Sequence, residues 1–168
     1  MADFYRGAKP PRPGPRTAIV RVKGTELQTF TFLSASVFGC EIHWFGGRSH
    51  ECMKLQRTCK GCASSWPVKW KGYVHALSWA DRSSPVFLEL TYNAVERIRM
   101  SLPNGESLRG VSVQIAKSRG GAKGRYVIAV LERRMPESEL QAEEEPLPML
   151  QFLWNCKNPH SQNGSYPV

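Results

Sequence analysis

The segment from Cys40 to Cys62 contains the residues best suited to bind a metal ion. It holds four of the five cysteines and two of the four histidines of the chain. Cys59 and Cys62 form a Cys-x2-Cys pair, a spacing that lets two thiolates of one tight turn reach the same tetrahedral ion. With His43 and Cys52 they form the set with the best spacing, separated by eight, six and two residues. We therefore predict a structural Zn²⁺ site with the ligands His43, Cys52, Cys59 and Cys62.

Alternatives to this ligand set stay open. His50 can take the place of His43, Cys40 can take the place of either histidine, and the cysteines can instead form a disulfide or remain plain buried thiols. The N-terminus has no apolar signal-peptide stretch and the chain has no apolar run of membrane length, so we expect a cytoplasmic protein with no membrane partner. Reducing conditions favour metal ligands over disulfides. Gly61, inside the Cys-x2-Cys pair, is expected to supply a flexible turn.

A catalytic zinc site is the weaker interpretation, and we do not expect an enzyme. Catalytic sites keep one coordination position open and need a general acid or base beside it. The nucleobase deaminase signature requires His-x-Glu and Pro-Cys-x-x-Cys, but His43 is followed by two aromatic residues and Thr58 precedes Cys59. Glu51 is the only carboxylate between His43 and Cys62.

Positive charge is concentrated in residues 1–136, which carry 22 Lys and Arg against nine Asp and Glu, whereas residues 137–168 carry one Lys and five Glu. A basic body attracts polyanions, because cations that neutralise phosphates release condensed counterions. Aromatic residues alternate with these cations between residues 44 and 79. A protein that holds single strands without reading their sequence needs both a cationic track and flat rings for base stacking. We therefore predict a binding surface for single-stranded nucleic acid, with DNA favoured over RNA.

The predicted nucleic-acid contacts form two groups. The first lies in the metal loop and the strand after it: Trp44, Arg48, Lys54, Arg57, Lys60, Trp66, Lys69, Trp70, Lys71 and Tyr73. The second group lies in a glycine-rich loop and comprises Lys117, Arg119, Lys123 and Arg125. This loop lacks the spacing of a nucleotide-binding loop, and it forms either the tip of a basic hairpin or a plain flexible loop. Because strand aromatics are often core residues, we expect few of the rings to be exposed, with Trp66 as the best candidate. The pattern does not assign Trp70 or Tyr73 to either role.

Hydrophobic patterning predicts a mainly β fold with one helix. Period-two patterns and β-prone residues predict strands in residues 17–23, 27–33, 41–45, 68–79, 109–116 and 125–131. Residues 85–100 are predicted to form a helix that is capped by Ser84 and has Pro85 in its first turn. Apart from the short strand inside the metal loop, about five strands, with one helix between the third and the fourth, is the element order of an oligonucleotide-binding (OB) barrel. We therefore expect a five-stranded OB-like barrel with an inserted zinc-binding loop.

The expected organisation has three parts. A flexible, basic, proline-rich arm covers residues 1–16, and its residues 7–16 contain four prolines and three cations. This arm either lies along phosphates or is a disordered leader. The OB-like domain covers residues 17–135, with the zinc loop at residues 40–66. An acidic and apolar tail at residues 136–168 either docks on a partner protein or packs on its own domain.

The order of His43, Cys52 and Cys59-x2-Cys62 in a strand-rich basic body, flanked by aromatics and followed by an acidic tail, resembles the zinc-containing single-stranded-DNA-binding proteins of tailed bacteriophages. In that family a small zinc subdomain is inserted in an OB barrel. The resemblance covers about residues 17–135 in element order, and the four ligands match as residues. It implies that the acidic tail engages replication or recombination partners. We expect a sequence-tolerant binder of single-stranded DNA that acts in replication, recombination or mobile-element processes.

Two other functions compete with this one. The protein can be an RNA-binding subunit of a ribonucleoprotein, because nothing in the sequence shows whether a donor faces a 2′-hydroxyl. It can also be an interaction module whose zinc knuckle docks another protein.

Overall fold

The fold is an open, mixed sheet of eight strands with one main helix. It is seen in a computed structural model that describes residues 17–52, 59–81, 84–120 and 125–144. The strands are β1 Ala18–Arg21, β2 Gln28–Phe32, β3 Phe38–Phe45, β4 Arg48–Glu51, β5 Val68–Ser78, β6 Val86–Leu90, β7 Ser112–Lys117 and β8 Tyr126–Val130. The helices are the single turn α1 Lys60–Ala63, the main helix α2 Tyr92–Met100 and a 3-10 turn at Glu137–Glu139.

The eleven-residue strand β5 connects the two parts of the sheet. The strand order is β1-β6-β5-β2-β7-β8, in which β1 runs parallel to β6 and the other pairs are antiparallel. One edge of β5 pairs with β6. The other edge pairs first with β3, along Val68–Tyr73, and then with β2, along Ala76–Ser78. The β3–β4 hairpin is therefore held by the first half of β5, beside the main sheet.

The core lies between one face of the sheet and helix α2. Strand residues such as Phe30, Val74 and Leu88 are at most 1% exposed, and they pack in one cluster with Ala94 and Ile98 of the helix. Burial of an aliphatic or aromatic side chain of this size contributes roughly 1.5–3 kcal/mol. This cluster explains why the period-two patterns in the sequence form strands with one buried face.

The predicted helix at residues 85–100 is wrong in its first half. Residues Val86–Leu90 form β6, because they alternate between the core and the opposite face and pair with both β1 and β5. Helix α2 begins after Thr91, whose Oγ1 accepts a hydrogen bond of 3.3 Å from the Ala94 N–H. Thr91 is therefore the N-cap, and the predicted cap at Ser84 is incorrect.

The expectation of about five strands is also too low. The additional strands include β6, which was expected to be helical, and β4, which lies in the predicted zinc loop. The mainly β class and the single main helix are confirmed. The structure shows an open sheet, in which the path ends at β1 on one side and at β8 on the other.

Helix α2 contacts β8, the strand at one end of this path. Arg97 donates a hydrogen bond of 3.1 Å to the carbonyl oxygen of Tyr126, the first residue of β8. Burial raises the pKa of the Tyr126 phenol, and the charge of Glu89 in β6 raises it further. The strands β6 and β8 do not pair in the described sheet.

The first residues of the predicted tail lie against the body. Arg109 forms a bidentate ion pair with Glu137, with Nη2–Oε1 and Nε–Oε2 distances of 2.6 and 3.0 Å. The hydrogen bonds from Arg109 lower the pKa of the Glu137 carboxyl. Further along, the backbone N–H of Glu144 donates to Nδ1 of the buried His75 at 3.0 Å. Residues 136–144 therefore contact the body at two separate places, Arg109 ahead of β7 and His75 in β5.

Candidate metal centre

The β3–β4 hairpin positions two of the predicted metal ligands. Its turn is Gly46-Gly47, and both glycines have positive φ angles, 59° and 76°, as tight two-residue hairpins require. Directly beyond β4, the N–H of Cys52 donates to the carbonyl oxygen of Glu41 at 2.8 Å, which continues the ladder by one residue. Residues two apart on a strand share a face, so Cys52, opposite Glu41, lies on the same face as His43.

The single turn α1 supplies the other two ligands. Cys59 precedes it and Cys62 lies within it, and the turn is closed by a hydrogen bond of 2.9 Å from the Ala63 N–H to the Cys59 carbonyl. The chain then turns back, with the Trp66 N–H donating to the Gly61 carbonyl at 2.9 Å. The Cys-x2-Cys spacing thus places both thiols on one tight turn, as predicted.

The four predicted ligands lie together. Nε2 of His43 and the Sγ atoms of Cys52, Cys59 and Cys62 are all within 4.8 Å of one another. Cys62 Sγ is 3.5 Å from Cys52 Sγ and 3.4 Å from His43 Nε2. A tetrahedral ion with bonds of about 2.3 Å to sulfur and about 2.0–2.1 Å to nitrogen separates two sulfurs by about 3.8 Å and a sulfur from the nitrogen by about 3.5 Å. The two distances at Cys62 therefore fit a tetrahedral metal ion.

His43 has the tautomer that a metal ligand needs. Its Nδ1 lies 3.0 Å from the carbonyl oxygen of Trp66. A carbonyl oxygen only accepts, so this contact places a proton on Nδ1 and leaves the lone pair of Nε2 directed at the sulfurs. Protein metal sites commonly fix an imidazole ligand in this way through its second nitrogen. The imidazole is fully buried, so it has little freedom to turn away.

Gly61 is needed for close packing rather than for a flexible turn. A Cβ atom at this position would lie 2.3 Å from Cγ and Cδ2 of His43 and 2.7 Å from its Nδ1. The imidazole therefore rests directly on the backbone of α1, where any side chain would displace it. The positive φ angles expected of a glycine turn occur elsewhere in the described chain, for example at Gly46 and Gly47.

Without a cation, the neighbouring thiols oppose the ionisation of Cys62. Hydrogen bonding to Cys52, together with burial and the neighbouring Cys59, raises the pKa of Cys62 to about 12. A divalent ion reverses this preference because it binds thiolates and releases their protons. Metal affinity at this site should therefore fall as the pH is lowered.

The structure separates the proposed ligand set from its alternatives. His50 lies opposite His43 in the hairpin, but its ring stacks on Phe45 at 3.7 Å and its Nε2 is 3.2 Å from the Phe45 carbonyl. Cys40 lies on the other face of β3, opposite Lys71. No disulfide joins any of the four described cysteines. The structure thus brings together the ligand set chosen from spacing and leaves His50 and Cys40 outside it.

An aromatic cluster lies beside the metal ligands. The rings of Phe45 and Trp66 are 4.3 Å apart, and Lys60 Nζ lies 6.0 Å from the centre of the Phe45 ring. Trp66 is half-buried in this cluster, and Lys60 is exposed. Arg48 begins β4 opposite Phe45. Lys54 and Arg57 lie outside the described residues.

Two other predicted contacts, Trp44 of β3 and Lys69 of β5, lie on the face of the sheet opposite the metal ligands. Trp44 is 56% exposed, next to the buried His43. Ile42 pairs with Lys69, so Trp44, two residues beyond Ile42, is a diagonal neighbour of Lys69 on the same face. Lys69 is exposed, whereas Lys71, further along this face, is half-buried and forms an ion pair with Glu89. An exposed ring and a cation thus lie side by side.

Neither Trp70 nor Tyr73 is exposed on that face: Trp70 lies on the opposite face of β5, and Tyr73 is buried. Trp70 points to the core side of β5 and is partly buried against the core. Tyr73 is 1% exposed, and its hydroxyl donates to Glu89 at 3.3 Å. Its ring has no free face on which a base can stack, so we remove Tyr73 from the candidate contacts.

The cations of the glycine-rich loop lie at the β7–β8 hairpin. Lys117 ends β7, and Lys117, Arg119 and Arg125 are all exposed. Beyond the ends of the two strands, a hydrogen bond of 3.1 Å from the Ser118 N–H to the Arg125 carbonyl continues their pairing by one residue. Lys123 lies outside the described residues.

Sequence reasoning missed the role of Glu89. This carboxylate is 5% exposed and binds Arg21 of β1 at 3.0 Å, together with Lys71 and Tyr73 of β5. The predicted helix instead places it on a charged outer face. Only the pairing of β6 with both neighbouring strands brings these partners together, and no local pattern signals that pairing.

The fold and the site define a mainly β protein with a metal-ligand cluster of one histidine and three cysteines. Comparisons with protein-family models, curated proteins and solved structures found no match to this chain. Among the described residues, neither helix has the length and apolar character needed to cross a bilayer.

Proposed function

We propose that this protein binds single-stranded DNA without strong sequence preference, and that a structural Zn²⁺ ion fixes the shape of its binding surface. Three thiolates and one imidazole form a donor set typical of structural zinc. Four protein ligands complete a tetrahedron and leave no open position for a reacting water, which favours a structural over a catalytic role. Zinc would hold α1 against the β3–β4 hairpin and so keep Trp66, Lys60 and Phe45 in place.

The main support for the proposal is the order in which five of the strands pair with one another. Along the chain these are β2, β5, β6, β7 and β8, and α2 lies between the third and the fourth of them. The first strand pairs with the second and the fourth, the second with the third, and the fourth with the fifth. This connectivity supports an OB-like fold, in which β1 extends the sheet beyond the third strand.

The positions of the candidate contacts support the same fold. OB folds bind oligonucleotides with the face of their second and third strands and with the connections between strands one and two and between strands four and five. The first of these connections, residues 33–67, carries the metal hairpin. The second, residues 118–125, is the basic glycine-rich loop. Trp44 and Lys69 lie at the start of the second strand, β5, and on the hairpin paired with it.

The surface chemistry favours single strands. An exposed indole such as Trp44 offers a stacking face to any unpaired base, at about 1–3 kcal/mol per base. Lys69 and the cations of the glycine-rich loop can follow a phosphate backbone. The described helices offer no element suited to the major groove of a duplex, because α2 buries one face in the core and carries Glu96 beside Arg97 and Arg99 on its outer surface.

Filter binding tests the proposal directly. Labelled oligo-dT, oligo-rU and a DNA duplex are titrated with the protein at several salt concentrations, with and without a zinc chelator. We expect oligo-dT to bind most tightly, log affinity to fall with log salt by about 0.7 for each phosphate contact, and chelation to weaken binding. Equal affinity for duplex and single strand would refute the proposal, and a preference for oligo-rU would assign the surface to RNA.

A further inference from the structure

A pocket of about 410 Å³ lies between helix α2 and the start of β8. Its lining includes Asn93, Glu96, Arg97 and Met100 of the helix, and Arg125 and Tyr126 of the β7–β8 hairpin. This volume is within the usual range for ligand sites, about 300–1,000 Å³. The proposed function uses the cations of the glycine-rich loop, but it assigns no role to the helix.

The pairing of β7 with β8 explains why the helix docks at this point. Residue pairs in antiparallel strands alternate between those that exchange hydrogen bonds and those whose N–H and C=O groups point outward. The Ser118 N–H donates to the Arg125 carbonyl at 3.1 Å, so this pair is of the first kind. The next pair in the register, Lys117 and Tyr126, is therefore of the second kind. The carbonyl of Tyr126 points away from β7 and is available to α2.

Arg97 uses this outward carbonyl to fix its guanidinium beside the pocket. Its Nη1 donates to the Tyr126 oxygen at 3.1 Å. Within the described part of the chain this is the one hydrogen bond of its side chain, and four of its five N–H donors stay available. Arg125 lines the same pocket from the hairpin. Two arginines thus border the pocket, one on each side.

The balance of charge in the pocket is positive. Its acidic lining residue, Glu96, forms an ion pair with Arg99 at 3.1 Å, so this carboxylate is neutralised on the helix itself. Neither Arg97 nor Arg125 has an ion-pair partner among the described residues. Guanidinium groups match the geometry of phosphate and bind it through charge-assisted hydrogen bonds. The side-chain amide of Asn93 adds a neutral donor. The pocket therefore favours a phosphate group.

The rim of the pocket adds an apolar contact. Met100 is 84% exposed, the highest value among the large hydrophobic side chains of the described residues. A thioether side chain is flexible and polarizable, so it adapts to irregular partners. Inorganic phosphate has no apolar surface to meet it, whereas a nucleotide carries a sugar and a base beside its phosphate. The combination of donors and thioether therefore suits a nucleotide better than a free phosphate ion.

We propose that this pocket binds one nucleotide of the single strand next to the glycine-rich loop, with the phosphate held by Arg97 and Arg125 and the sugar or base against Met100. This inference rests on the proposed function, and it adds helix α2 to the binding surface. Lys117 is exposed and pairs with Tyr126 in the register of the hairpin. The cations of the loop therefore continue into the pocket, and a strand that follows them reaches Arg97.

The salt dependence of oligo-dT binding tests the role of Arg97. One phosphate contact contributes about 0.7 to the slope of log affinity against log salt for a single strand, which amounts to about fivefold in affinity at 0.1 M salt relative to 1 M. Arg97→Gln should show both losses, and Arg97→Lys should recover most of the slope because it keeps the charge. If Arg97→Gln does not fold in thermal unfolding, Arg125→Gln should show the same two losses. The matched control is Arg99→Gln, because Arg99 is an exposed arginine of the same helix that lies outside the pocket lining.

The methyl resonance of Met100 reports directly on the occupancy of the pocket. It is assigned in full-length protein with ¹³C-methyl-labelled methionine by its absence in Met100→Leu. We expect oligo-dT to shift this signal in the wild type and in Arg99→Gln, and to shift it much less in Arg97→Gln at the same concentration. Thymidine monophosphate and inorganic phosphate are added separately, and neither should shift the signal at the concentrations at which oligo-dT does.

The outcomes separate this inference from the proposed function. If oligo-dT binds but leaves the Met100 signal in place, or if Arg97→Gln and Arg99→Gln have equal salt slopes, the inference is overturned while the proposed function stands. Weaker binding by Arg97→Gln with an unchanged slope would also overturn it, because Arg97 would then only support β8. A Met100 signal that responds to either free phosphate compound and not to oligo-dT would assign the pocket to a free ligand and overturn the inference. Absence of any oligo-dT binding would overturn both proposals together.

Discussion

Substitution of Gly61 by alanine should selectively damage the metal site. The added Cβ would approach two ring carbons of His43 to 2.3 Å, whereas ordinary contacts begin near 3.4 Å. Either the imidazole or the α1 turn must therefore move by about 1 Å. The imidazole is held by its contacts with the Trp66 carbonyl at 3.0 Å and with Cys62 Sγ at 3.4 Å, so one of these contacts must be lost.

The size of the effect follows from the tolerance of metal coordination. Ligand distances in protein metal sites vary by only about 0.2 Å, so a displacement of about 1 Å removes His43 from the coordination sphere or distorts it severely. Loss of supporting interactions around a ligand typically costs about 10–100-fold in metal affinity, and overpacking costs about 1–3 kcal/mol of stability. We expect Gly61→Ala to show both effects.

Competition with a chromogenic zinc chelator measures the affinity, and thermal unfolding with and without zinc measures the stability. Gly24→Ala is the matched control, because a Cβ there meets its nearest atom at 3.8 Å. It should leave zinc affinity unchanged and alter stability by no more than about 1 kcal/mol. If Gly61→Ala binds zinc as tightly as the control, the close packing of His43 on α1 does not position the ligand.

Three further perturbations test other parts of the account. Cys62→Ser should abolish stoichiometric zinc binding, measured by metal analysis of the purified protein, whereas Cys40→Ser should retain it because Cys40 lies on the other face of β3. Lys69→Glu should weaken oligo-dT binding and reduce the salt slope by roughly one phosphate contact. The control Arg133→Glu, on the C-terminal segment, should change the affinity and the salt slope much less. Equal effects of the two variants would remove Lys69 from the interface. Burial lowers the pKa of His75 from its usual 6.5. Below pH 6.5 the folded state therefore binds fewer protons than the unfolded state. The contribution of the neutral, buried His75 to stability is present above pH 6.5 and is lost as the pH falls below it. Urea unfolding at several pH values should therefore show a loss of stability on acidification that is smaller in His75→Gln, and parallel curves would exclude His75 as the cause.

The ligand set was predictable from the sequence because the spacing of zinc ligands is a local property. Cys59 and Cys62 needed only one turn of chain, and Cys52 lies just beyond a short hairpin. The spacing favoured His43 but could not exclude His50, because the two residues face each other across that hairpin. The docking of α1 decides between them, since Gly61 leaves room for the ring of His43 while His50 stacks on Phe45.

The strand β6 shows the limit of pattern reasoning in the fold. The sequence Val86–Leu90 precedes a true helix and shares its apolar character, so the pattern predicts one continuous helix. Its strand conformation depends on pairing with β1, which lies nearly seventy residues earlier in the chain. The same long-range pairing buries Glu89 with Arg21 and removes Tyr73 from the surface. Such partners are set by topology, and local periodicity carries no signal of them.

X-ray absorption at the zinc edge, combined with native mass spectrometry, tests the central claim most directly. The protein purified without added metal should carry one zinc ion per chain, bound by three sulfurs at about 2.3 Å and one nitrogen at about 2.0–2.1 Å. A folded protein that contains no metal, or an ion bound through oxygen ligands, would contradict the assignment of His43, Cys52, Cys59 and Cys62 as a structural metal centre.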